Sequence, residues 1–148
     1  MGITTPEGLI VHTADYKIDP TPVDGWPTDF AKLAEFSGRG VLALLADSTN
    51  ADKLGWTPSE KVIVPALEKA IAEDTGRVVV ASFASLISLM QQDANAAHKS
   101  GRKMAYPGRS MLDNSKMARE LGYLDIPNGM EVTIDHALNM RERDVVLM

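Results

Sequence analysis

The segment Leu9-Ile10-Val11 is apolar and stops on His12, Thr13, Ala14 and Asp15. A longer apolar run at residues 41–46 stops on Asp47, Ser48, Thr49 and Asn50. Two more runs end on hydroxyls or a cation: 77–82 leads through Ser82 and Phe83 to Ser85, and 102–106 leads through Pro107 and Gly108 to Arg109 and Ser110. The last three runs have strand length and are separated by helical patterns, which predicts a parallel sheet whose strand ends lie side by side. Hydroxyls and free N–H groups at helix N-termini suit an anionic phosphate, and arginine adds a two-pronged donor. The chemistry implied is the binding of a phosphate-bearing ligand: a nucleotide, a sugar phosphate or a nucleic acid. Taken singly, each serine or threonine reads more readily as a helix cap, and it is their coincidence in three neighbouring loops that brings the binding reading level with it. Neither a dinucleotide fingerprint nor a P-loop is present.

Composition narrows the class. The 148 residues are 45% apolar and 24% charged, enough for one domain with a real core. Cysteine is absent, so thiolate sites and disulfides are excluded, and any metal must be held by His, Asp or Glu. The net charge of −5 argues against a broad electrostatic clamp on nucleic acid, but not against a local groove. Apolar runs are far shorter than a membrane span, and no basic-then-apolar leader opens the chain; a cytoplasmic protein without membrane contact is expected.

The elements that must position these residues follow from periodicity and punctuation. "ITTPEGLIVHTAD" predicts two short strands joined by a turn at Thr5-Pro6-Glu7-Gly8. The proline-rich stretch "KIDPTPVDGWP" predicts a connecting loop. "TDFAKLAEFSG" predicts a helix capped by Thr28 and stopped at Gly38. "TPSEKVIVPALEKAIAEDTG" predicts a helix opening on a capping box at Thr57, with Pro65 kinking it or displacing its start. Further helices are expected in "SLISLMQQDANAAHKSG", capped by Ser85, and in "SMLDNSKMARELG"; "DVVLM" is a last strand. The fold class predicted is α/β, a doubly wound and mostly parallel sheet flanked by helices.

Five stretches, "TPEGLIVHTADYKID", "LLADSTNADKLGWTPSE", "RVVVASFAS", "GRKMAYPGRSM" and "ELGYLDIP", resemble in that order the ribonuclease J branch of the metallo-β-lactamase/β-CASP hydrolases. The resemblance covers essentially the whole chain. It implies residues 1–27 as the end of a metallo-β-lactamase segment, its strand pair included, and 28–148 as a β-CASP domain. It further implies a parent enzyme that hydrolyses RNA with two zinc ions. Asp15 then falls on the aspartate bridging both metals, and Asp47 on an acid supporting the catalytic centre. Ser48, Thr49, Asn50, Ser82, Phe83, Ser85, Arg109 and Ser110 would face RNA.

The departures from that family are specific. The H-x-H-x-D-H cluster and the later ligand histidines are absent from these residues, Ala14 stands where relatives often have glycine, and Leu86-Ile87-Ser88-Leu89 replaces Asn-x-His-Arg. His98 reads as a partner of a helix dipole and His136 has no partner at ligand spacing, so three scattered histidines build no two-metal site. The expectation is therefore a catalytically inactive piece, forming a lid over RNA and supplying one metal ligand. Its expected partners are RNA, the remainder of the metallo-β-lactamase domain and a second copy of the chain. Set against this are a free-standing phosphate- or nucleotide-binding module and a structural domain whose capped loops bind nothing.

Overall fold

A computed structural model describes all residues, 1–148. Its contacts divide the chain into two units, Met1–Lys61 and Val62–Met148.

The first unit is a three-stranded sheet in the order β1-β2-β3, with one helix. Strand β1 (Gly2–Thr5) pairs antiparallel with β2 (Gly8–His12), and the Thr5 hydroxyl closes the turn by donating to the Gly8 carbonyl at 2.9 Å. Pro6 occupies the second turn position, as its fixed φ favours. Strand β3 (Val41–Leu45) lies parallel to β2, with His12 opposite Leu45. Helix α1 (Phe30–Arg39) packs its Phe36 ring over Gly2, where a Cβ would overlap the ring. Only Leu9 and Val11 of this unit belong to the buried apolar set.

The second unit is built around a parallel sheet in the order β4-β6-β5. Its strands are β4 (Val78–Val79), β5 (Lys103–Ala105) and β6 (Val145–Leu147), with the last strand in the centre. Side chains alternate across a strand. Met104 and Val146 accordingly join one core cluster with residues of α2 (Val64–Glu73), α3 (Ile87–Lys99) and α4 (Arg109–Glu120). Ala105 and Val145 join a second cluster with Ala137 of α5 (Ile134–Asn139). Helices thus cover both faces. Ile71, Met90, Met104 and Val146 are fully buried, each worth roughly 1.5–3 kcal/mol of burial.

Several expectations are corrected. Strand β3 hydrogen-bonds to β2 and not to the β4-β6-β5 sheet, so the parallel strands belong to two sheets instead of one. The α1 cap is Asp29, whose carboxylate accepts the Lys32 N–H at 2.8 Å; an acid reaches N3 where Thr28 is one residue early. That helix runs through Gly38 and ends at Gly40, which takes a left-handed φ of 79°. Pro65 displaces the start of α2: residues Glu60–Ile63 form a 3-10 turn, the proline sits in the first helical turn, and Ile63, not Thr57, holds the cap position. Ser85 is not a side-chain cap; Leu86 holds the cap position of α3. Helix α5 went unread, although Thr133 caps it by accepting the His136 N–H at 3.3 Å.

Candidate functional site

Each unit carries its own polar patch at the C-terminal end of its parallel strands. In the first unit, parallel pairing brings the segments after β2 and β3 together. The Thr13 N–H donates to the Leu45 carbonyl at 3.0 Å, continuing the ladder one step past β2. The Thr13 hydroxyl then accepts the Asp47 N–H at 3.2 Å and donates to the Ala14 carbonyl at 2.7 Å. One threonine therefore ties the turn that leads to Asp15 to the turn that starts at Asp47. Thr13 was not singled out in the sequence; its signal was its place in His-Thr-Ala-Asp.

Ala14 has a φ of 54°, the one non-glycine residue in the left-handed region. The His12 ring holds that turn, its Nδ1 accepting the Ala14 N–H at 2.9 Å. The turn presents Asp15 to solvent. Asp47 is half-buried, and its Oδ1 accepts both the Thr49 hydroxyl at 2.6 Å and the Thr49 N–H at 3.0 Å. Those two bonds, the hydroxyl first, hold the Asp47 carboxyl below the usual range and keep it ionised. Asn50 accepts the Lys53 ammonium at 2.8 Å, and the Ser48 carbonyl accepts the Ala51 N–H. Ser48, Thr49 and Asn50 therefore shape the Asp47 turn.

The acids do not make a metal centre by themselves. Nowhere in the chain do three or more His, Asp or Glu side chains converge. The donors present do not fit a two-zinc site, which needs several ligands on each ion.

In the second unit the loop after β4 and the start of α4 are joined. Asn114 of α4 donates to the Ala84 carbonyl at 2.8 Å, holding the Ser82–Ser85 segment. The Ser82 hydroxyl donates to the Phe83 carbonyl at 3.3 Å, while the Phe83 ring is exposed and Ser85 is open to solvent. Arg109 and Ser110 occupy the first turn of α4, both exposed. Gly108 precedes them and offers no side-chain cap, so the amide groups of that turn point outward without a side-chain partner. The sequence reading missed Asn114 and also Arg102. Arg102 is buried, and its guanidinium donates to the carbonyls of Asp74 and Gly76 beyond the end of α2.

Ser82, Phe83, Ser85, Arg109 and Ser110 are thus assembled in one unit, and Asp15, Asp47, Ser48, Thr49 and Asn50 in the other. No helix is long and apolar enough to cross a membrane.

Comparison with known proteins bears on both patches. The family model described as ribonuclease J, beta-CASP domain, matches residues 75–148, half of the chain. Ribonuclease J of Thermus thermophilus is 45% identical over 146 residues, 99% of this chain and 25% of that protein. The Corynebacterium glutamicum ribonuclease J is 43% identical over all 148 residues, and that of Helicobacter pylori J99 is 41% identical over the same span, each alignment covering 21% of the relative. The chain therefore spans about a quarter of the length of the curated relatives it matches.

Proposed function

The chain belongs to the ribonuclease J family through its β-CASP domain, and from that premise we propose that it works as a segment of an RNA-hydrolysing enzyme. The observation that carries the proposal is the Thr13 link. It puts two acids of the family motif at one end of a parallel strand pair, Asp15 exposed and Asp47 half-buried and held ionised.

Asp15 acts as a single carboxylate ligand to a zinc centre whose other ligands come from the remainder of a metallo-β-lactamase domain. Asp47 supports that centre as a fixed anion, its Oδ1 held by Thr49. When bound, two divalent cations neutralise charge on a phosphodiester and lower the pKa of water. The residues of this chain contribute ligation, orientation and grip. The β1-β2 pair is assigned to the metallo-β-lactamase portion, and β3 extends it by pairing with β2.

Ser82, Ser85, Arg109 and Ser110 grip the RNA backbone or a 5′-phosphate. The outward amides of α4, together with the bidentate arginine, are what an anionic oxygen needs. Phe83 is exposed on the same loop and suits stacking on a base. A simple phosphate-binding module is the second reading, favoured by the uncapped start of α4.

The experiment that separates the two uses the parent protein and 5′-phosphorylated RNA. Asp15→Ala is expected to abolish hydrolysis and leave RNA binding within a few-fold of native, while Arg109→Ala weakens binding. Unchanged hydrolysis by Asp15→Ala would contradict the ligand assignment. Binding untouched by Arg109→Ala would contradict the grip.

A further inference from the structure

Helix α3 carries a residue that neither patch uses. Asp93 is completely buried, and neither of its carboxylate oxygens has a hydrogen-bond partner. It lies on the helix that contributes Met90, Ala94 and Ala97 to the core. Tyr106, immediately after β5, joins the same core cluster and lies near enough to feel the charge of Asp93, and Ser115 of α4 stands beside the Tyr106 hydroxyl without completing a hydrogen bond of good geometry. Tyr106 is 6% exposed and Ser115 is fully buried. The other charged groups near Tyr106 are Arg119 and Glu131, which pair with each other at 3.1 Å.

A carboxylate ion in such a place is costly unless it is paired, and here no cation is offered to it. Burial alone pushes its pKa up to about 7, and burial likewise raises the Tyr106 phenol. As a neutral acid, Asp93 fits among methionines and alanines. As an anion it requires water or new donors, and none is bonded to it in the packed core. Tyr106 also lines a cleft of about 410 Å³ with Arg119, Glu131 and Thr133.

We propose that Asp93, Tyr106 and Ser115 form a proton-operated latch. It holds α3 against the β5–α4 junction while Asp93 is neutral and loosens it when Asp93 ionises. The direction of the pH dependence is fixed by the two protonation equilibria. An unfolded aspartate ionises near 3.8 and the folded one near 7. The stability due to the neutral acid is full below the unfolded value, declines between the two, and is lost above the folded one.

The test is thermal unfolding of the whole chain and of Asp93→Asn from about pH 5 to about pH 8. The native sequence is expected to lose roughly 5–10 °C in Tm across that window. Asp93→Asn removes that slope but keeps His12, His98 and His136, so any residual slope reads the histidines. A variant that retains the native slope overturns the proposal, as does a native Tm that does not fall. Should Asp93→Asn fail to fold, the infrared carbonyl band of a protonated carboxylic acid in the native chain decides. The band should titrate away with a midpoint near 7, and its absence at about pH 6 would refute the latch. Amide exchange corrected for its intrinsic pH dependence should quicken in α3 and β5 above neutrality; unchanged protection there also refutes it.

Discussion

Strands β3 and β6 carry the same kind of sequence and meet opposite fates. "VLALL" and "VVL" are both continuous apolar runs, the signature of a strand covered on two faces. In the second unit that cover exists: Val145 and Val146 are fully buried between α2–α4 on one side and α5 on the other. In the first unit it does not. Val41, Leu42, Leu44 and Leu45 are 40–63% exposed, and α1 has no buried residue. An apolar run records what a strand is made to be buried by, not whether the partner is at hand. Exposed apolar surface on this scale marks an interaction face. The proposed function supplies the partner, the remainder of a metallo-β-lactamase domain. The unit whose core is closed holds the loops proposed to grip RNA. The unit left open holds the acids proposed to serve the metal.

Breaking that contrast calls first for the parent enzyme. If Asp15 is the proposed ligand, Asp15→Ala there takes a carboxylate from a site worth several kcal/mol of transition-state stabilisation, so RNA hydrolysis should fall by about a thousandfold or more, measured as kcat/KM. Next comes a matched pair of truncations in the isolated chain, followed by denaturant unfolding. Met104→Ala opens a cavity in a closed core and should cost about 2–4 kcal/mol, whereas Leu44→Ala, already 63% exposed, should cost under about 1 kcal/mol. Equal costs would mean that the first unit is packed as tightly as the second.

Smaller effects sharpen the account of the open unit. Ala14→Gly relieves a left-handed alanine at φ 54° and should stabilise the turn before Asp15 by about 0.5–1 kcal/mol, read from the same unfolding curves. Thr49→Val removes the hydroxyl bond that does most to depress the Asp47 pKa. An NMR titration should then show that carboxyl ionising at higher pH than in the native chain. No change would mean the turn is held by other groups.

Much of this was legible in the residues. The strand–helix alternation of the second unit, the turn at Thr5–Gly8 and the displaced start at Pro65 follow from local rules that tertiary packing did not override. Strand pairing was not local. Nothing in "VLALLA" says whether it pairs with "GLIVH" or with "VVL", and periodicity favours both. Helix α5 was lost because six residues give too short a pattern, despite its Thr133 cap. The acids at Asp15 and Asp47 were visible through the family motif. The Thr13 hydroxyl that joins their turns required the β2–β3 register, and the hold of Asn114 on Ala84 required knowing that α4 lies beside that loop.

Metal content of purified material reads the central claim most directly. Mass spectrometry of this chain alone, after exposure to zinc and buffer exchange, should find well under one ion per chain, and the parent enzyme should hold two that fall in number with Asp15→Ala. One or two zinc ions retained tightly by these 148 residues alone, or an Asp15→Ala parent that keeps both, would contradict it.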